Sequence, residues 1–251
     1  MRASKNTILI TGGATGIGLA LAERFLKSGN EILVCGRREE KLLELRRKHP
    51  AIKTRVCDVA LETDRVALCE WAVSESPALN VLVNNAGIQR RVNLAEEKHW
   101  EAVEEEIVIN LHAPVHLTML FLPHLTKQKE PAILNVTSGL SFVPLAGAPV
   151  YSATKAALHS FTLSLRHQLT GSPVEVIEII PPAVDTDLGG PGLHTHGVPV
   201  GEFADHVMER LKTGAREIAY GFSEQSSHAS RAELDAIFER LNQPTREPSR
   251  A

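Results

Sequence analysis

Residues 7–18 read Thr7-Ile8-Leu9-Ile10-Thr11-Gly12-Gly13-Ala14-Thr15-Gly16-Ile17-Gly18. The first four residues predict a short buried strand that is too apolar to alternate, and Ile17, Leu21 and Phe25 then recur at helical spacing. In such a strand–turn–helix unit the glycines let the backbone approach a pyrophosphate, and the helix N-terminus offers free amides and a positive dipole end. Glycine-rich turns are common and the motif alone is weak evidence, but its flanking elements favour a dinucleotide site.

Apolar strand-like runs alternate with helical patterns along the rest of the chain. Further strands are predicted at Glu31–Cys35, Ile52–Val56, Val81–Asn84, Ala132–Val136, Val174–Ile180 and Glu217–Tyr220. Helices are predicted notably at Glu39–Lys48, Thr63–Ser74, Trp100–Leu122 and Ser152–Leu169. This alternation predicts an α/β fold of the Rossmann type, a doubly wound parallel sheet of about seven strands with helices on both faces, in three layers.

Length and composition predict one domain over residues 1–251, because doubly wound sheets often reach this size without splitting and 43% apolar residues suffice for a core. A glycine- and proline-containing segment around residues 188–215 is predicted to be a substrate flap. A capping-box pattern at Ser230–Glu233 predicts a C-terminal helix around residues 230–242, and a polar tail is predicted from Asn242 to Ala251.

The charge pattern argues against two classes of partner. The net charge is −3, so the chain has no excess of basic side chains with which to bind nucleic acid or an anionic membrane. The segment Ile107–Leu125 contains no Asp, Glu, Lys or Arg and could nearly span a bilayer, but its Asn, His and Pro residues favour a helix buried by the sheet and a partner subunit. Three cysteines without framework spacing and no visible signal peptide predict a cytoplasmic protein.

A candidate catalytic group lies in the run Tyr151-Ser152-Ala153-Thr154-Lys155, with Ser138 thirteen residues earlier. On a helix, Tyr151 and Lys155 lie one turn apart on the same face. A nearby ammonium favours the phenolate and would make the tyrosine a proton donor and acceptor near neutral pH, while Ser138 could bond the same substrate oxygen. Tyr and Lys four apart can also arise by chance, and the pair gains weight from the rest of the chain.

The cofactor class is indicated at the end of the second predicted strand. An acidic residue there would bind the ribose hydroxyls of NAD and repel a 2′-phosphate. Here Gly36 occupies that position, and Arg37 and Arg38 follow. Guanidinium groups suit phosphate, so the pattern favours NADP(H) over NAD(H). The alternative is that both arginines begin a solvated helix face.

These motifs together resemble the short-chain dehydrogenase/reductase superfamily, in its single-domain branch, over roughly residues 5–222. The resemblance rests on the following segments, in order: Thr11–Gly18, Asp58-Val59, Asn84-Asn85-Ala86-Gly87, Asn110, Ser138, Tyr151 with Lys155, and Pro181–Thr186. Three further runs look like a bacterial DltE-like subgroup, a name that does not identify a substrate: 87–90, 164–169 and 181–186.

The resemblance implies a role for each matching residue. Ser138, Tyr151, Lys155 and Asn110 would be catalytic, with Asn110 holding a water linked to Lys155. The implied cofactor-binding set is Gly12, Ala14, Thr15, Gly16, Ile17, Gly18, Arg37, Arg38, Asp58, Val59, Asn84, Ala86, Gly87, Tyr151, Lys155, Pro181, Val184 and Thr186. One departure is Pro182, which replaces the usual glycine, removes an N–H and makes the placement of Thr186 less secure.

The implied reaction is hydride transfer between NADP(H) and a small carbonyl or alcohol, with Tyr151 as acid and base and Ser138 on the substrate oxygen. Two other classes stay open: a non-catalytic dinucleotide-binding redox sensor, and an epimerase or dehydratase, which usually carries a longer substrate domain. The resemblance also implies a homodimer or homotetramer. No metal site is predicted, since His194 and His196 lack further ligands of recognisable spacing.

The substrate is not predicted. Leu140–Ala148 could face an apolar substrate or simply pack. The segment Ile88–Asn93 carries Gln89, Arg90 and Arg91, which could bind an anionic group but are more commonly surface arginines.

Overall fold

A computed structural model describes residues 1–96 and 99–243. The strands are β1 (Thr7–Thr11), β2 (Glu31–Gly36), β3 (Lys53–Val56), β4 (Val81–Asn84), β5 (Ala132–Val136), β6 (Glu175–Ile180), β7 (Val184–Asp185), β8 (Val198–Pro199) and β9 (Glu217–Ala219). The helices are α1 (Gly16–Lys27), α2 (Glu39–Lys48), α3 (Glu62–Glu75), α4 (Trp100–Ile107), α5 (Ala113–Leu125), α6 (Pro149–Gln168), α7 (Val200–Lys212), α8 (Phe222–His228) and α9 (Arg231–Leu241).

Seven strands form one sheet in the order β3-β2-β1-β4-β5-β6-β9, and every pairing in it is parallel. The chain winds outward from β1 in one direction and from β4 in the other. Ligands in such folds bind at the carboxyl ends of the strands where the order reverses, which here is between β1 and β4. The predicted doubly wound parallel sheet is confirmed.

Each face of the sheet has its own apolar core, which gives the predicted three layers. One core contains Phe25 of α1 and Phe203 of α7. The other contains Leu68 of α3 and Phe121 of α5. All four side chains are fully buried. Burying a side chain of this size contributes about 1.5–3 kcal/mol.

The predicted helix Trp100–Leu122 is interrupted by a π-helical turn at Val108–His112 that joins α4 to α5. Such turns place one extra residue in a helix and are frequent at functional sites. Two features accompany the turn here: Asn110 is buried within it, and Pro114 follows in the first turn of α5, where a missing N–H is tolerated.

By length and composition, the described stretch Trp100–Leu125 could cross a membrane. In this fold its Leu117, Phe121 and Leu125 are fully or nearly fully buried in the core on one face of the sheet. We therefore assign it as a helix of the α/β domain.

Much of the segment 188–215, where a substrate flap is predicted, is helix α7. Phe203, Val207 and Leu211 of α7 are buried in the core beside α1. The short strand β8, at residues 198–199 within this segment, pairs in parallel with β7 at residues 184–185. Two-residue strands are too short to leave a periodic signal, which is why they were not predicted.

The C-terminal helix prediction is confirmed as α9. Ser230 and Glu233 form the predicted capping box, each side chain binding the other residue's backbone N–H. Asn242 caps the end of α9, where its side chain accepts from the Ala146 N–H at 2.6 Å and donates to the Pro144 carbonyl at 3.0 Å. The remainder of the predicted polar tail, residues 244–251, lies outside the described residues.

Candidate active site

The glycine turn lies between β1 and α1, at the reversal point of the sheet. Gly12 has φ of +63° and Gly16 has φ of +54°, conformations that glycine adopts without strain. A Cβ at Gly12 would lie 3.0 Å from the Ala86 Cα, and one at Gly18 would lie 2.5 Å from the Gly12 carbonyl oxygen. The turn therefore packs directly on the loop after β4, and glycine is required for that approach.

Thr11 and Asn85 hold these two loops together, and neither was in the predicted site. The Thr11 hydroxyl accepts from the Asn85 and Ala86 N–H groups, both at 3.0 Å. The Asn85 amide donates to the carbonyl oxygens of Thr11 at 2.9 Å and Gly12 at 3.2 Å. The signal was present in the sequence, because both residues lie inside the motifs quoted above.

Asn84 ends β4, where it lines a small cavity with Thr11, Val59 and Ala86. It is buried, and its amide donates to the Asn135 side chain at 2.9 Å. Asn135 in turn donates to Thr162 at 2.9 Å. This internal chain of bonds joins β4, β5 and α6 beneath the site, so Asn84 supports the loop that carries Ala86 and Gly87.

Arg37 and Arg38 follow β2 at the edge of the groove, where the sequence predicted them. Arg38 donates to the Thr15 hydroxyl at 3.1 Å and so reaches the glycine turn. The Arg37 Nη1 lies 2.8 Å from Glu105 Oε1 and 4.0 Å from Asp58 Oδ2. Two guanidinium groups therefore follow β2 near the glycine turn. Residue 36, where an acidic side chain would bind the ribose of NAD, is a glycine.

Asp58 and Val59 are positioned by α3, which begins just after them. The Asp58 N–H donates to Asp64 Oδ2 at 2.8 Å, and Val59 is buried. The fully buried Arg65 donates to the carbonyl oxygens of Val59 at 2.6 Å and Ala60 at 3.0 Å. This arginine, absent from the prediction, satisfies loop carbonyls that would otherwise be buried without partners.

Asn110 connects the π turn to the segment after Gly87. Its side chain accepts from the Ile88 N–H at 2.9 Å and donates to the Ile88 carbonyl at 2.8 Å. It also donates to Thr154 of α6 at 3.2 Å. A Cβ at Gly87 would lie 3.3 Å from Asn110 Oδ1 and 3.6 Å from Lys155 Nζ, so Asn110 and Lys155 share the same corner of the site.

Ser138, Tyr151 and Lys155 are brought together at the carboxyl end of β5. Ser138 has extended backbone, and its hydroxyl accepts from the Leu140 N–H at 3.1 Å. Lys155 is buried and donates to the Val136 carbonyl at 2.7 Å, with its Nζ 5.7 Å from the centre of the Tyr151 ring. Ser138 is also close enough to the Tyr151 hydroxyl to lower its pKa.

Burial controls the ionisation of this group. It raises the pKa of Tyr151 to about 12, an effect that the Ser138 hydrogen bond opposes and the Glu106 carboxylate reinforces. Burial also lowers the pKa of Lys155 to about 8. The sequence led us to expect a lowered pKa of Tyr151 beside Lys155, whereas burial sets the raised direction here. Tyr151 is the protonated acid at neutral pH.

Glu106 is a buried carboxylate that the sequence reading missed. Its Oε1 accepts from the Arg90 N–H at 3.0 Å, and it lies one helical turn before Asn110. Burial raises its pKa, which the Arg90 N–H and charge oppose. Glu106 and Asn110 together hold the backbone of residues 88–90. The four-residue spacing was a usable signal, but the π turn hid which side chains share a face.

The segment from Pro181 to Thr186 closes the groove opposite the glycine turn. The Pro181 carbonyl accepts from the Gly139 N–H at 2.9 Å, and Val184 is buried in β7. A Cβ at Gly16 would lie 3.4 Å from Thr186 Cγ2. Thr186 therefore reaches the glycine turn although Pro182 replaces the usual glycine.

A histidine–carboxylate pair supports the Ser138 loop from below. Glu178 of β6 is fully buried and accepts from the Thr137 hydroxyl at 2.6 Å. His159 of α6 lies 2.9 Å from both Glu178 carboxylate oxygens, and this carboxylate raises the pKa of His159. Among the described residues, no group of three His, Cys, Asp or Glu side chains could hold a metal ion.

The residues beside the glycine turn have the chemistry to hold the phosphates of a dinucleotide. Positive-φ glycines and the N-terminus of α1 suit the pyrophosphate, and Arg37 with Arg38 suit the additional phosphate. Arg37 and Arg38 follow β2, on one side of the β1–β4 junction. Tyr151 and Lys155 lie beside the end of β5, on the other side of that junction.

Comparison with known proteins agrees with this geometry. A family model described as short chain dehydrogenase matches residues 6–195. The chain is 50% identical to the uncharacterized oxidoreductase DltE of Bacillus subtilis (strain 168), over 96% of this chain and 98% of that protein. It is 32% identical to the NADP-dependent 3-hydroxy acid dehydrogenase YdfG of Escherichia coli (strain K12), over 69% and 71% of the two chains.

A solved structure shares the fold over nearly the whole chain. It is a short chain dehydrogenase from Burkholderia cenocepacia J2315 in complex with NADP, with a TM-score of 0.84, 26% identity, and coverage of 97% of this chain and 100% of that one. The sheet order, the glycine turn, the Ser–Tyr–Lys group and these matches lead to one conclusion: the chain belongs to the short-chain dehydrogenase family, as an oxidoreductase with a DltE-like relationship.

Proposed function

We propose that this protein is an NADP(H)-dependent oxidoreductase that interconverts a small carbonyl compound and its primary or secondary alcohol. The observation that carries the proposal is the convergence of Ser138, Tyr151 and Lys155 at the end of β5, beside the glycine-turn groove. When bound, the nicotinamide supplies or accepts the hydride.

The side chains divide the remaining chemistry among them. Tyr151, protonated at neutral pH, donates its proton to the oxygen of a carbonyl that is being reduced, and Ser138 hydrogen-bonds the same oxygen. Lys155, whose pKa of about 8 lies close to neutral pH, can replace the proton that Tyr151 gives up. Asn110, which shares this corner, holds the water through which Lys155 exchanges protons with solvent. Positioned acids and hydrogen bonds act mainly in the transition state, where they raise the rate.

The proposed NADP(H) preference rests on Arg37 and Arg38 and on the lack of an acid at Gly36. The related YdfG protein is described as NADP-dependent, and the Burkholderia structure holds NADP. The proposed cofactor contacts are those predicted from the sequence, and Asn84 also supports the loop after β4. Further proposals are a single domain, a cytoplasmic location, and a homodimer or homotetramer.

The direct test is oxidation of NADPH and NADH, followed by absorbance, against aldehydes, ketones, diketones and keto-acids. Tyr151→Phe should lose at least about 100-fold in kcat while binding NADPH normally, because it lacks the proton but keeps the ring. Tyr220→Phe is the matched control, since Tyr220 is the other tyrosine of the sequence and its hydroxyl bonds Glu202 away from the group.

Near-wild-type turnover in Tyr151→Phe would contradict the assigned role. If the protein binds NADPH but turns over none of the carbonyl compounds, the redox-sensor alternative is favoured. The next experiment would then be a search for a partner protein.

A further inference from the structure

Glu105 joins the cofactor side of the groove to the substrate side. One carboxylate oxygen lies 2.8 Å from Arg37 Nη1, and the other pairs with Arg90 Nη2. Arg90 also donates to the Ala102 carbonyl at 2.7 Å, which fixes it on α4. Arg90 and Arg37 hold the pKa of Glu105 below its ordinary value, so this carboxylate is ionised at neutral pH.

Arg37 thus has an anionic partner before any cofactor binds. It is also the guanidinium proposed to receive the 2′-phosphate of NADP(H). A guanidinium can bind a carboxylate or a phosphate through the same planar set of donors. Arg38, in contrast, contacts a hydroxyl and pairs with no carboxylate among the described residues. Competition between two anions therefore falls on Arg37.

We propose that Glu105 is a specificity-determining residue whose carboxylate competes with the 2′-phosphate of NADP(H) for Arg37. This inference rests on the proposed NADP(H) preference. NADH brings no 2′-phosphate to Arg37, so the Arg37–Glu105 pair, with Asp58 Oδ2 4.0 Å from the same nitrogen, can persist when NADH binds. NADPH must displace the Glu105 carboxylate from Arg37 or bind close beside it. The Arg37–Glu105 pair therefore reduces the factor by which NADPH binds more tightly than NADH.

A consequence reaches the substrate side. When the phosphate engages Arg37, Glu105 is left with Arg90, whose backbone N–H is held by Glu106 in the segment Ile88–Asn93, which could bind an anionic substrate group. The Glu105 carboxylate therefore links Arg37, which would bind the 2′-phosphate, to Arg90 in residues 88–90.

The test measures dissociation constants of NADPH and NADH by the fluorescence of the bound nucleotides. Glu105→Gln should strengthen NADPH binding about two- to fivefold, the factor that corresponds to a partly exposed ion pair, with a smaller change for NADH. Glu104→Gln is the matched control, because Glu104 is exposed on the same helix and the substitution removes the same charge. Arg37→Ala and the double variant Arg37→Ala/Glu105→Gln complete a cycle, in which the effect should disappear without Arg37.

Each other outcome overturns the inference. If Arg37→Ala lowers NADPH affinity relative to NADH but Glu105→Gln changes nothing, Arg37 binds the phosphate and Glu105 does not compete. If Glu105→Gln strengthens both nucleotides equally, or Glu104→Gln has the same effect, the cause is general charge. If Arg37→Ala leaves the affinity ratio unchanged, the proposed NADP(H) preference fails and the inference fails with it.

Discussion

At the residue level, the site places three ionisable side chains where water is largely excluded. Tyr151 is 6% exposed, Lys155 is 3% exposed and Glu106 is 1% exposed. Exclusion of water disfavours each charged form, which explains the raised pKa of Tyr151 and Glu106 and the lowered pKa of Lys155. The carboxylate of Glu106 adds to this by opposing a second negative charge on the Tyr151 oxygen.

Replacement of Glu106 should therefore change the pH dependence of catalysis. In Glu106→Gln the amide oxygen still accepts from the Arg90 N–H, but the charge is gone, so the pKa of Tyr151 falls. The rising limb of kcat/KM for alcohol oxidation, which needs the phenolate, should move to lower pH. The measurement is the pH profile of both enzymes with one alcohol substrate.

Glu106→Leu serves as the comparison, because it removes the hydrogen bond as well as the charge. An unmoved pH profile in Glu106→Gln, combined with a loss of activity in Glu106→Leu, would mean that Glu106 only positions residues 88–90.

At the level of elements, α6 carries both the proposed catalytic groups and supporting polar groups on successive turns. Tyr151, Lys155 and His159 are four residues apart and all face the end of β5 and β6. His159 pairs with Glu178, which holds the residue before Ser138 through the Thr137 hydroxyl. A fully buried carboxylate without its partner is costly, so this pair should matter for stability.

His159→Gln should lower the free energy of unfolding by about 3 kcal/mol at pH 6, the lower end of the range for a broken buried ion pair. The folded-state pKa of His159 is raised, so its contribution is complete below the unfolded value of about 6.5 and is lost as pH rises through the folded pKa. The gap between variant and wild type should therefore narrow at high pH.

Urea unfolding at pH 6 and pH 9 measures this difference. His167→Gln is the control, since His167 is exposed on the same helix. A gap of equal size at both pH values would assign the loss to packing of His159 against Phe142, whose ring centre lies 4.7 Å away, and not to the charge pair.

At the level of the whole molecule, α5 and α6 expose apolar side chains that the chain's own core does not cover. Met119 is 66% exposed and Leu163 is 42% exposed. These are the helices through which a homo-oligomer is proposed. Burial of such side chains between subunits would remove apolar surface from water and stabilise the assembly.

Met119→Glu or Leu163→Glu should therefore shift the protein toward monomer, because a charge in an apolar interface loses its hydration. Leu43→Glu on α2 is the matched control, with 41% exposure on a helix outside the proposed interface. Sedimentation velocity at micromolar protein distinguishes the outcomes. A monomeric wild type, or an equal effect of Leu43→Glu, would contradict the proposed interface.

The amino-acid sequence determined the topology, the family and the identity of Ser138, Tyr151 and Lys155. These depend on local information: apolar runs, glycine turns and motif spacing recur in a fixed order, and parallel strands with short connections allow few arrangements.

Only the tertiary structure decided how those residues are tuned. The pKa of Tyr151 depends on water excluded by elements far away in sequence, so a neighbouring lysine could not predict its direction. Asn84 donates to Asn135, which in turn donates to Thr162. Glu105 and Glu106 reach the site because α4 packs beside the loop after β4. Contacts of this kind form between segments separated by 15 to 68 residues, and no local pattern encodes them.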